Sequence, residues 1–128
     1  MDAPFRATHQ TKRMLYEMML CAEHRGAYVG YVRGEFSRTL TGFFQEVSSA
    51  FRFPYTFSWS WESLDACFRD LEWLSFSQLL WVISQPEKLF TQEDHMAHVN
   101  ALQRSIAAAA SFWWERQVPF DCVLNLFE

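Results

Sequence analysis

Glycine is scarce, with four in 128 residues. So few leave no glycine-rich loop to cradle phosphates, and no nucleophile elbow or metalloprotease motif occurs either. Cysteine is nearly as sparse. Cys21, Cys67 and Cys122 lie far apart, are odd in number and form no metal-type pair. Buried free thiols in a reducing cytoplasm are the simplest expectation. No apolar run approaches the ~20 residues that a membrane helix needs. The opening "MDAPFRATHQTKRML" has no apolar stretch ahead of a small-residue cleavage site, so no signal peptide is expected. Basic charge is also short: 11 Lys and Arg face 15 Asp and Glu, a net −4. A mildly acidic chain lacks the clustered basic surface of a nucleic-acid binder. It is compatible with a basic protein partner, and equally with ordinary surface chemistry.

Rings and other apolar side chains are abundant. Apolar residues make up 50% of the chain and aromatics 18%, with 13 Phe and 6 Trp. This is a globular composition, of a length that fits one domain with a real core.

Helical spacing is clear over residues 11–25, where Met14, Leu15, Met18, Met19 and Ala22 share a face and Gly26 supplies a stop. A methionine stripe suits an adaptable binding surface, but core packing is the simpler account. "AYVGYVRG" (27–34) reads as a strand. Thr39 or Thr41 can cap the next helix, whose apolar face is Phe43, Phe44, Val47, Ala50 and Phe51 and which Pro54 should end. Ser58 or Ser60 can cap a further helix with Trp61, Leu64, Phe68 and Leu71 on one stripe. "QLLWVIS" (78–84) reads as a strand covered on both faces. "TQED" (91–94) resembles a capping box with Asp94 in the acidic place. It leads into a helix with Met96, Val99, Leu102, Ile106, Ala109 and Trp113 on one face, ending near Pro119. "FDCVLNLF" (120–127) reads as a last strand. Strands separated by helices predict an α/β fold with a parallel sheet and right-handed crossovers. No repeat, linker or low-complexity segment is visible.

Candidate chemistry is thin. His95 and His98 stand three apart beside Glu93 and Asp94, and Cys21 and His24 repeat that spacing. A closed structural metal site needs more ligands than such a pair, so an exposed polar face is expected and no metal or cofactor is implied. Nothing singles out a pair of carboxylates for acid–base work, so an enzyme is the weakest of the function classes. The sharper feature is acidic. Between residues 53 and 74, Glu62, Asp65, Asp70 and Glu72 face the single base Arg69, which concentrates −3 of the −4 in one stretch. Glu62 falls in the first turn of the expected helix, where the dipole favours an anion, and Asp65 and Arg69 can pair at i,i+4. Carboxylates on a rigid helix beside aromatics can anchor in a cationic cleft, or simply form a solvated face over a Trp-rich core.

"FPYTFSWSWESLDACFRDLEWL" resembles the signature of the barstar family, intracellular inhibitors of secreted ribonucleases. Phe53, Pro54, Phe57, Trp61, Leu64, Cys67, Arg69, Asp70 and Leu71 match in register, and the element order from 27 to 127 agrees. The resemblance implies a two-layer α/β fold with a three-stranded parallel sheet and crossover helices. It implies a barstar-like domain at 27–128, with residues 1–26 as an extra N-terminal helical extension. In the family, two aspartates on the signature helix plug a ribonuclease active site in place of substrate phosphates. Here the first is Glu62, with a longer arm, and the second is Ala66. Asp65 sits one position earlier, and one helical position turns a side chain by about 100°. The family's Gly and Asn before the helix are Ser58 and Ser60, and its partner-facing tyrosine corresponds to Thr56, with Tyr55 adjacent. Another family acid lies late in the last helix, near Glu115.

The expectation is therefore a cytoplasmic immunity protein with no catalysis of its own, binding a cognate toxin domain of a basic nuclease type. The contact set is Tyr55, Thr56, Trp59, Glu62, Asp65, Ala66, Arg69, Glu72 and Glu115. Neither nucleic acid nor membrane is a direct partner. The alternative is a non-inhibitory interaction module that keeps the fold, with the Met-rich helix supplying a new contact.

Overall fold

A computed structural model describes residues 5–127. In chain order the elements are β1 (Phe5–Thr8), α1 (Lys12–His24), β2 (Ala27–Arg33), α2 (Leu40–Ala50), α3 (Trp61–Phe68), β3 (Gln78–Ser84), α4 (His95–Glu115) and β4 (Phe120–Asn125). Single 3₁₀ turns at Gly34–Phe36 and Pro86–Lys88 follow β2 and β3. Every strand pairing is parallel, in the order β1-β4-β3-β2.

The sheet thus has four strands, not the three expected. β1 is the addition, with Phe5 opposite Cys122 and Thr8 opposite Asn125. Its four residues, FRAT, carry too little alternation to announce a strand. What holds them is Asn125, fully buried, whose Oδ1 accepts from Thr8 Oγ1 and from the Gln10 amide, both at 2.8 Å. Its Nδ2 donates to the Gln10 carbonyl at 3.1 Å.

The two-layer expectation is corrected in the same way. Alternate residues of a strand point to opposite faces, and both faces of β3 are covered. Leu79, Trp81 and Ile83 join α2, α3 and α4 in the larger core, while Leu80 and Val82, with Val123, pack on Leu15 and Ala22 of α1. Helices therefore lie on both sides of the sheet. Of the methionine stripe, Met18 and Met19 pack on that second core, whereas Met14 is exposed.

Local chemistry explains the boundaries. Thr11, Thr39 and Ser60 cap α1, α2 and α3 by accepting from Met14, Gly42 and Ser63 amides. Gly26 ends α1 with φ +91, open to glycine without cost. Gly30 lets the Phe51 ring lie directly on β2, where a Cβ would collide with that ring.

Several boundaries differ from expectation. α2 stops at Ala50, ahead of Pro54, because the chain reverses through Arg52 at φ +53. α3 stops at Phe68, so Leu71 is buried from a turn at φ +52 and not from the helix. Asp94 is itself the cap of α4, accepting from Ala97, and Met96 is 65% exposed. The core centres on Trp81, stacked on Phe68 at 4.8 Å and flanked by Phe43 and Phe51.

Candidate interaction surface

The aromatic segment after α2 divides cleanly into anchors and exposed rings. Phe53 packs on Phe51, Phe57 and Phe68, with ring centroids 6.4, 5.0 and 5.5 Å away. Phe57 is buried and closes a turn by donating its amide to the Pro54 carbonyl. Trp61 sits at the junction of three elements, 5.5 Å from Phe43, 6.0 Å from Phe90 and 6.3 Å from the His98 ring. Those contacts fix where α3 begins. Tyr55, by contrast, is 98% exposed and Trp59 46% exposed.

Serines hold the loop against the helix. Ser63 donates its amide to Ser60 Oγ at 3.1 Å, and Ser58 donates its amide back to Ser63 Oγ at 3.0 Å. The arrangement works as a reciprocal cap that ties both sides of Trp59 to the first turn. Trp59 itself has φ +58.

On α3, Glu62 and Ala66 are exposed, one turn apart on the outward face, with Arg69 exposed at the C-cap. Asp65 is turned away from that face. It is half-buried, and its Oδ1 is enclosed with no hydrogen-bond partner. The expected Asp65–Arg69 pair does not form; among the described residues the ion pairs of Arg or Lys are Arg6–Asp121, Arg13–Glu17 and Arg33–Glu46, and Glu93 approaches His98 Nε2 at 3.8 Å. The outward face therefore carries a single carboxylate, Glu62, followed by a methyl group. Glu72 is exposed beyond the helix, its amide donating to Asp70 Oδ1. Thr56 is exposed in the loop. Glu115, exposed, ends α4, whose Trp113 Nε1 donates to the Phe68 carbonyl at 2.6 Å and ties the ends of α3 and α4 together.

The histidines have structural company. His95 Nδ1 is 2.9 Å from the Leu89 carbonyl, and Glu93 both caps α2 through the Leu40 amide and reaches His98. The described cysteines are all free. Burial, then the nearby Asp70 charge, pushes the Cys67 thiol up; burial does the same for Cys122. Cys21 is exposed, against the expectation of buried thiols. No described helix is long and apolar enough to cross a membrane. Sequence reasoning missed the Ser58–Ser63 clasp and the left-handed Trp59. A tryptophan carries no sign of positive φ, so no local signal marked it.

With this geometry in place, residues 27–125 match the family described as barstar (barnase inhibitor). The chain belongs to the barstar family, and at that level it is a barnase-inhibitor-like or immunity protein of a family whose partner is a ribonuclease. A search of curated proteins found no match.

Proposed function

We propose that this chain is an immunity protein, held in the cytoplasm of the producing cell, that binds and occludes the active site of a cognate bacterial toxin of the nuclease class. The observation that carries the reading is the barstar match over residues 27–125, which contains the whole exposed face of loop 55–60 and α3. Occlusion requires no chemistry from the inhibitor. It needs a rigid surface complementary in shape and charge to a basic cleft, and the charges set the on-rate and its salt dependence. Tyr55, Thr56, Trp59 and Glu62 would meet the cleft first, with Ala66, Arg69 and Glu72 further along and Glu115 at the rim. Asp65 would act from behind that face. The partner-binding unit is residues 27–128, and residues 1–26 are an extension whose α1 covers the second face of the sheet.

Ala66 favours a change of target within that class. Losing one partner of a buried charge pair costs about 2–5 kcal/mol, so a barnase-like ribonuclease is bound more weakly than by a two-carboxylate relative. Co-expression with nuclease domains encoded beside this chain tests the proposal. Neutralisation that is lost in a Glu62→Lys, Ala66→Lys double variant, both exposed positions, is the expected result; no neutralisation of any of them defeats it. Ala66 also favours the second reading, an interaction module that keeps the fold without inhibition. A non-nuclease partner whose binding depends on Met14, on the outer side of α1, supports that reading.

A further inference from the structure

We infer that Trp59, and not a carboxylate, is the principal anchor of the contact surface, and that the partner presents a narrow apolar slot with a basic side chain at its rim. This rests on the inhibitor reading above and specifies the partner's chemistry.

Trp59 adopts φ +58, a region that bulky L-residues avoid. Nothing in the core asks for it. A ring needed for packing would be enclosed, as Phe57 is, yet Trp59 is half exposed. The conformation persists because the Ser58–Ser63 and Ser63–Ser60 hydrogen bonds clamp the backbone on both sides. The indole is held as well as aimed. It meets Phe44 edge-on at 6.4 Å and 88° and leans on Phe57 at 6.0 Å, while about half of the residue stays exposed. A large ring immobilised before any partner arrives loses little freedom on binding, and tryptophan is enriched among residues that dominate interface energy.

The surroundings define what the ring enters. Glu62, three positions on, is exposed and makes no ion pair among the described residues. It therefore calls for one cation at the mouth of the slot. Ala66 offers nothing to a second. A pocket built for two phosphate-like charges would leave a base unpaired here, whereas an apolar slot with one base is matched by Trp59 and Glu62 together.

The test uses the full chain and a panel of purified bacterial nuclease-toxin domains that includes a barnase-type ribonuclease. Inhibition of nucleic-acid cleavage, affinity by calorimetry and thermal midpoints are measured for the native chain, Trp59→Gly, Trp59→Ala and Glu62→Gln. Glycine relaxes the backbone where alanine does not, so the Gly variant should melt at or above the Ala variant, the reverse of their usual order. For a nuclease the native chain inhibits, both Trp59 variants should lose about a hundredfold in affinity and Glu62→Gln about tenfold. If Trp59→Gly inhibits that nuclease within about threefold of the native chain, the anchor is elsewhere and the inhibitor reading survives. An Ala variant that melts above the Gly variant removes the strained-presentation argument and overturns the inference on that ground. If the native chain inhibits and binds none of the panel, both the inference and the reading fall.

Discussion

Ala66 is the residue on which the fate of the family's inhibitory chemistry turns. It stands one helical turn beyond Glu62 on the exposed face of α3, with nothing packed over it. Asp65 does not compensate, because the rotation of one helical position carries its carboxylate inward, where Oδ1 is enclosed and unpartnered. Ala66→Asp should therefore restore a second outward charge. Its stability cost is small, a few tenths of a kcal/mol from the like charge at Glu62. Its gain in inhibition of a barnase-type ribonuclease should be about tenfold or more, since paired interfacial charges couple strongly. Cleavage assays with the two proteins side by side check this, and no gain would place the contact surface away from α3. The acid count and the match to the family's signature were readable in the chain; the inward direction of Asp65 was not, since helical spacing allowed it to pair with Arg69 on the outer face. The orientation of Trp59 needed the folded loop, since it depends on hydrogen bonds from Ser58 and Ser63 that close only once α3 has formed.

Between elements, the strongest exposed tie joins α2 to the end of β2. Glu46 receives three hydrogen bonds from Arg33: its amide, Nε and Nη2, at 3.0, 2.9 and 2.9 Å. The Arg33 guanidinium hydrogen bonds, the largest influence, hold the Glu46 carboxyl below its usual 4.5 against the opposing effect of burial. A carboxyl lowered in the folded state stabilises fully above its unfolded value and loses that contribution as the pH falls through its folded value. The Arg33–Glu46 contribution is therefore present at neutral pH and fades below about 4.5. Arg33 is half exposed, so solvent screening limits it to about 1 kcal/mol. Glu46→Gln should lower stability by roughly that much at pH 7 and show a smaller difference from the native chain at pH 3. Urea titrations at the two pH values measure it; a difference that is constant with pH would remove the ion pair as the cause. Element types followed from spacing because Phe43, Phe44, Val47 and Phe51 keep the helical period, while QLLWVIS is too uniformly apolar for anything but a central strand. Ends were less readable. Arg52 and Leu71 adopt positive φ to bring the Phe51 and Leu71 side chains inward, a tertiary demand that overrides local preference.

At the scale of the whole molecule, β1 completes the sheet and α1 gives it a second helical cover. Asn125 is the fastener, fully buried and bonded to both Thr8 and Gln10. Asn125→Ala should cost about 1–3 kcal/mol by leaving the partly buried Thr8 hydroxyl and Gln10 amide without their acceptor. It should also release β1 selectively, raising hydrogen exchange at residues 6–8 while β2 and β3 keep their protection. Uniform loss of protection across all strands would show instead that β1 is inseparable from the sheet. The order of helices and strands, the parallel sheet, the aromatic core and the family relationship were all determined by the amino-acid pattern itself, because period, caps and signature residues are local in the chain. Only the tertiary structure decided that the sheet has a fourth strand, that α1 closes its far face, that Asp65 turns inward and that Trp59 stands out. The strand depends on partners more than a hundred residues away, the helical cover and the burial of Asp65 on how elements distant in the chain pack, and Trp59 on a backbone state that no single residue announces.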